Sequence, residues 1–232
     1  MLTLRDANQE RTMRHVKSYR SCPSSTGLPM WGAELGRIYQ EEVARCNREL
    51  RRRWLAAALA TVLAGLLLLE WNEPRYFLQD DNFVQFLPTL ELAGRTLLEG
   101  RWPSFNPHIL LGAPLFDNGN YALSYPPMLG CWWVARTFLG DERWAIDLFQ
   151  GAHLMVACLA TFHLARAASA AAPLAAATAV SYALSGFMLL GGRSWLSVPP
   201  LGAYLPLALL AVVRLTRARP GWPWILGTGL LM

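Results

Sequence analysis

Two adjacent carboxylates, Asp80 and Asp81, open a stretch (78–127) that is polar, acidic and rich in Pro, Gly and Asn, and that lies between strongly apolar segments. Neighbouring carboxylates can hold a divalent cation such as Mg or Mn through oxygen ligands. Alternatively, one can take a proton from a hydroxyl while the other tunes its pKa. A plainer role competes with both: an Asp just before Asn82 can cap a helix, where the helix dipole favours an anion. The other chemistry-bearing residues are less pointed. Cys22, Cys46, Cys131 and Cys158 show no CxxC spacing, so neither a disulfide framework nor a zinc site is supported. His153 and His163 stand ten apart, off a common helical face, and read as hydrogen-bonded interhelical residues. Asp147 either snorkels to water or lines a cavity.

The elements that must position these residues follow from composition and charge. Of the chain, 53% is hydrophobic and only Lys17 is a lysine, which indicates an integral membrane protein. Residues 1–53 hold eleven Lys/Arg against six Asp/Glu, and the remainder holds ten of each. The positive balance is therefore confined to one flank, as expected of a cytoplasmic terminus, and no nucleic-acid binding is implied. Residues 1–30, with Met13 and Met30 as internal start candidates, read as disordered, and 31–53 as an amphipathic helix, either on the inner membrane surface or as a solvated helical extension with no role. Arg51, Arg52, Arg53 and Trp54 precede LAAALATVLAGLLLL, so a first span over about 54–71 leaves the membrane on the outer side.

The expected architecture is all-α and polytopic, with a membrane domain over 54–232. Further spans are expected near 144–165, 172–191 and 198–213, with an incomplete one at 222–232 that marks the chain as part of a longer protein. An outer loop, 72–143, would carry interfacial helices near 82–99 and 126–139. The segment 123–139 is apolar but short, begins with Pro126 and Pro127, and contains Arg136, which costs roughly 2.5–3.5 kcal/mol in hydrocarbon. If it crossed, Arg166 and the Arg214, Arg217, Arg219 cluster would face outward, against the positive-inside bias. A non-crossing helix avoids this. The tryptophans Trp102, Trp132, Trp133, Trp144, Trp195, Trp222 and Trp224 fit interfacial belts.

One ordered series crosses the loop: Asp80, Asp81, Gln85, Pro88, Gly100, Trp102-Pro103, Asn106-Pro107, Gly112, Pro114 and Tyr125-Pro126-Pro127. Together with Ser181 to Phe187 (SYALSGF) and Leu205-Pro206-Leu207, it resembles the YfhO-like bacterial membrane proteins, which are similar to the GT-C glycosyltransferases. The resemblance covers roughly 54–232. It implies a transferase of the bacterial cytoplasmic membrane, moving a sugar from a polyprenyl-phosphate donor to a cell-envelope glycan or lipid on the outer face. Asp80 would be the base or metal ligand, with Asp81 its neighbour or substitute, and Gln85 a polar contact about one turn on. Such chemistry needs positive charge for the departing phosphate, which Arg143 and Arg193 at outer membrane boundaries can supply. Asn106 and His108, which flank Pro107, are the candidate substrate contacts of the distal loop. The alternative is a non-catalytic carrier or assembly partner that keeps the fold without the chemistry.

Overall fold

The structure is a computed structural model that describes residues 29–109, 112–116 and 119–217. The segment expected to be disordered lies almost wholly outside the described residues, as do Asp117 and the apolar run at 222–232. By its contacts the chain divides into two units, Met1–Arg48 and Glu49–Met232. In the first unit the described residues are helical, and exposed pairs such as Arg37–Glu41 and Arg45–Glu42 line the surface at one-turn spacing. Its Ile38, Tyr39 and Val43 are exposed.

The second unit is an all-α bundle. The long helix α1, Pro29–Asn72, brings its apolar C-terminal part into this unit. A π-helical turn, Asn82–Phe86, leads into the amphipathic α2, Leu87–Leu98. A two-residue hairpin pairs β1, Phe105–Asn106, with β2, Ala113–Pro114. Next come α3, Pro126–Val134, with a π-helical turn to Leu139, and then α4, Trp144–Ala167. The bundle ends with α5, Ala172–Ala183, α6, Gly186–Ser194, and α7, Val198–Arg217.

Among the described residues four stretches are long and apolar enough to cross a membrane: Gly36–Asn72, Trp144–Ala167, Ala172–Ser194 and Val198–Thr216. The nine residues of α3 plus its five-residue π turn fall well short of the roughly 20 a crossing needs. Helix α4 is the hub, 67% buried over its apolar window against 17% for α1, and it packs along α3, α5 and α7. Alanine makes the α4–α5 contact close: Ala175, Ala179 and Ala183 are buried on one side of α5, where a small side chain lets helix backbones approach. Gly65 does the same for α1, since a Cβ there would stand 3.1 Å from the Leu184 side chain.

Local geometry refines one expectation and corrects another. The stretch expected to cross at 172–191 has the length and apolarity to do so over Ala172–Ser194 but is broken within it, because α5 ends at Ala183 and Ser185 starts α6 with its side chain accepting from the Met188 amide. Asp81 occupies the position before the 82–86 turn yet makes no capping hydrogen bond through its side chain, so the cap role does not apply to it.

Candidate functional site

The outer loop is fastened to the bundle by its first residues. Glu70, at the end of α1, accepts the backbone N–H groups of Arg75 (2.8 Å) and Tyr76 (3.3 Å), which turns the chain back. Tyr76, Phe77 and Leu78 are then driven into the core, and the Phe77 amide donates to Asp147 Oδ1 at 2.8 Å. Asp147 therefore does not snorkel to water: it is buried and holds the loop.

This insertion presents the acid pair. Asp80 adopts a left-handed backbone, φ +43°, unusual for a residue with a Cβ though better tolerated by Asp than by most. Its exposed carboxylate accepts a hydrogen bond from Ser194 Oγ at 2.6 Å. Asn82, fully buried, donates through its side-chain amide to the carbonyls of Phe77 (2.8 Å), Gly192 (2.8 Å) and Arg193 (2.9 Å). The end of α6 is thus stitched to the start of the loop. Arg193 pairs with Glu73 and lies 4.7 Å over the Tyr76 ring, and Gln79 also reaches Glu73. Two contacts, Ser194 with Asp80 and Arg193 with Glu73, thus join consecutive residues at the end of α6 to the start of the loop, and Asp81 and Gln85 are exposed.

Arg143 is engaged elsewhere. Its Nε donates to Asp141 Oδ1 at 2.9 Å, and Arg75 pairs with the same carboxylate. Hydrogen bonds from Arg143 hold the Asp141 carboxyl down at about 2, and the same carboxylate pushes the Arg143 guanidinium up. Arg75 also lies 5.7 Å over the Trp144 ring, so this second cluster clamps the loop to the start of α4.

In the distal loop, Asn106 is buried and its Oδ1 accepts the His108 amide at 2.9 Å, an Asx turn that shapes the hairpin. His108 is exposed. The close approach of the Phe105 ring to Gly112 (φ +118°), 2.0 Å from where a Cβ would be, explains glycine there. Asn106 and His108 therefore serve the turn and the surface, and neither contacts the acid cluster.

A cavity of about 240 Å³ opens between the loop, α4 and α7, lined among others by Ser124, Tyr125, Phe149, Ser197 and Tyr204. Its polar centre was not foreseen: the Tyr125 hydroxyl meets both the Tyr204 hydroxyl and His153 Nε2, the latter at 3.1 Å. The signals were a tyrosine beside Pro126-Pro127 and another inside the apolar run of α7. Burial, assisted by Tyr204, raises the Tyr125 pKa, so its hydroxyl stays protonated. Ser194 and Asn82 were also missed as partners, since each acts on a residue more than a hundred positions away.

Among the described residues no three His, Cys, Asp or Glu side chains converge to hold a metal ion. A cation at Asp80 and Asp81 would complete its coordination with water or phosphate oxygen. No protein-family model, curated protein or solved structure matches this chain.

Proposed function

We propose that the protein is a membrane glycosyltransferase of the GT-C type, transferring a sugar from a polyprenyl-phosphate donor to a cell-envelope glycan or lipid. The reaction takes place at the outer face of the bacterial cytoplasmic membrane, with the N-terminus in the cytoplasm. The observation that carries this reading is Asp80: an exposed carboxylate in a strained backbone, held through one oxygen by Ser194, the residue that follows Arg193 in the chain. Strain of this kind costs about 1–3 kcal/mol and persists where surrounding structure over-determines it, commonly at reacting groups.

In this reading Asp80 Oδ1, the oxygen not engaged by Ser194, accepts the proton of the acceptor hydroxyl. The acceptor oxygen bonds to the anomeric carbon, the bond from that carbon to the phosphate oxygen breaks, and the polyprenyl phosphate leaves with the electron pair. Arg193, or a divalent cation on Asp80 and Asp81, offsets the charge on the leaving phosphate. The test is transfer from a radiolabelled polyprenyl-phosphate sugar in membrane vesicles. Asp80→Asn is expected to lower it by about 10²–10⁴, the usual worth of a general base, with membrane insertion unchanged. Full transfer by the Asp80→Asn, Asp81→Asn double variant would overturn the reading.

The ion pair of Arg193 with Glu73 favours a second reading, in which the cluster is a clamp and the protein a non-catalytic carrier or assembly partner. Loss of thermal stability in Asp80→Asn, with cell-envelope glycans unchanged, would select it.

A further inference from the structure

The cavity between the loop, α4 and α7 has a chemical polarity that follows from its hydrogen bonds. His153 Nδ1 lies 2.7 Å from the Phe149 carbonyl, which can only accept, so Nδ1 carries the proton. In the neutral ring Nε2 then accepts from the Tyr125 hydroxyl. With its proton spent on His153, the Tyr125 oxygen accepts from Tyr204. The chain runs Tyr204 to Tyr125 to His153, and its open end, at the cavity wall, is a tyrosine oxygen with lone pairs free to accept.

The remaining surfaces narrow the occupant. Tyr125, Phe149 and Tyr204 supply aromatic walls, with the Tyr125 and Phe149 rings edge-on at 5.9 Å. Ser124 and Ser197 add hydroxyls that both donate and accept. Among the described residues none that lines the cavity carries a charge, so neither a phosphate nor an ammonium group finds a counter-ion there. A lipid chain would offer nothing to the lone pairs of the Tyr204 oxygen or to the hydroxyls of Ser124 and Ser197. The volume of about 240 Å³ suits one ring, below the roughly 300–1,000 Å³ of pockets for larger ligands.

We propose that this cavity seats one neutral pyranose ring, with the Tyr204 oxygen accepting from a ring hydroxyl. That the ring belongs to the transferred or accepting substrate rests on the transferase reading. Chain neighbours link the cavity to that site: its wall at Leu196 and Ser197 comes two and three residues after Ser194, which holds Asp80, and Tyr121, beside lining residue Ala122, packs edge-on against Phe86, which ends the turn after Asp81. The sugar handled here is therefore uncharged, which excludes uronic acids and free amino sugars.

The test is saturation-transfer NMR on the 232-residue chain in detergent micelles. The probes are D-glucose, D-galactose and D-mannose against D-glucuronate and D-glucosamine. At least one neutral hexose is expected to bind at least about tenfold better than its charged counterpart, because a charge would be buried unpaired. Tyr204→Phe, which keeps the ring and removes the oxygen, is expected to weaken neutral binding about fivefold or more. Leu201→Trp, a change at an exposed rim position, blocks the opening if Tyr204→Phe fails to fold. Equal binding of charged and neutral sugars, no hexose binding, or full binding in Leu201→Trp would each overturn the proposal. Hexose binding without transfer in the wild type would sink the transferase reading and leave the cavity assignment standing.

Discussion

At Asp80 the backbone and the side chain make opposite demands. A φ of +43° is easiest for glycine, whereas the hydrogen bond from Ser194 requires the carboxylate. Asp80→Gly separates the two: it relieves strain worth about 1 kcal/mol, and the proposed base goes with it. We expect a melting temperature in detergent no more than a few degrees from wild type, with transfer lost; retention of transfer would deny Asp80 its role. Asn82 gives the complementary case. Its buried amide serves three carbonyls, two of them on α6, so Asn82→Leu leaves buried acceptors unpaired at about 1–3 kcal/mol each. A clear fall in thermal stability is expected, and an unchanged melting curve would show that the stitch is not needed. Asp80 was legible in the sequence as an acid beside an acid. Its strain and its partner were not, because Ser194 lies 114 residues away and only tertiary packing joins them.

Among elements, the amphipathic α2 is held against α3 by one close approach. A Cβ at Gly94 would fall 2.3 Å from the Trp132 indole, a rigid group packed in the core, so Gly94→Ala must push α2 away. Destabilisation of about 1–3 kcal/mol is expected, read as earlier loss of the near-ultraviolet tryptophan signal on heating. The Asp141 clamp makes a pH prediction. Its folded pKa, about 2, lies below the ordinary 3.8, so its stabilising effect is full above that value and is lost as pH falls from about 4 toward 2. Trp144 emission should report the release of Arg75 from its ring in that window, and Asp141→Asn should remove the transition. A transition unchanged in Asp141→Asn would assign it to another carboxylate. Hydropathy made the long apolar helices legible, since about 20 apolar residues leave few other readings. The break between α5 and α6 was hidden because Leu184, Ser185 and Gly186 barely interrupt the apolar run, although Ser185 is a good start residue for a helix. The π turn at 82–86 has no sequence signature that hydrophobic spacing can register.

Among the described residues, four helical stretches are long and apolar enough to cross a membrane, and two fastened clusters tie the loop to them. Exposed aromatics such as Trp71, Trp102, Trp133 and Trp195 suit a headgroup boundary around that loop. The proposed chemistry demands that this boundary be the outer one, since a lipid-linked sugar outside the cell can be reached from nowhere else. Sidedness is therefore the decisive quantity. In a cysteine-free background, Asp81→Cys and Ala168→Cys each place a thiol at an exposed position, one at the acid pair and one at the far end of α4. Labelling of intact cells with a membrane-impermeant maleimide should modify position 81 and spare position 168 until the membrane is opened. Modification of 168 in intact cells, with 81 protected until lysis, would put the acid pair in the cytoplasm and contradict the account.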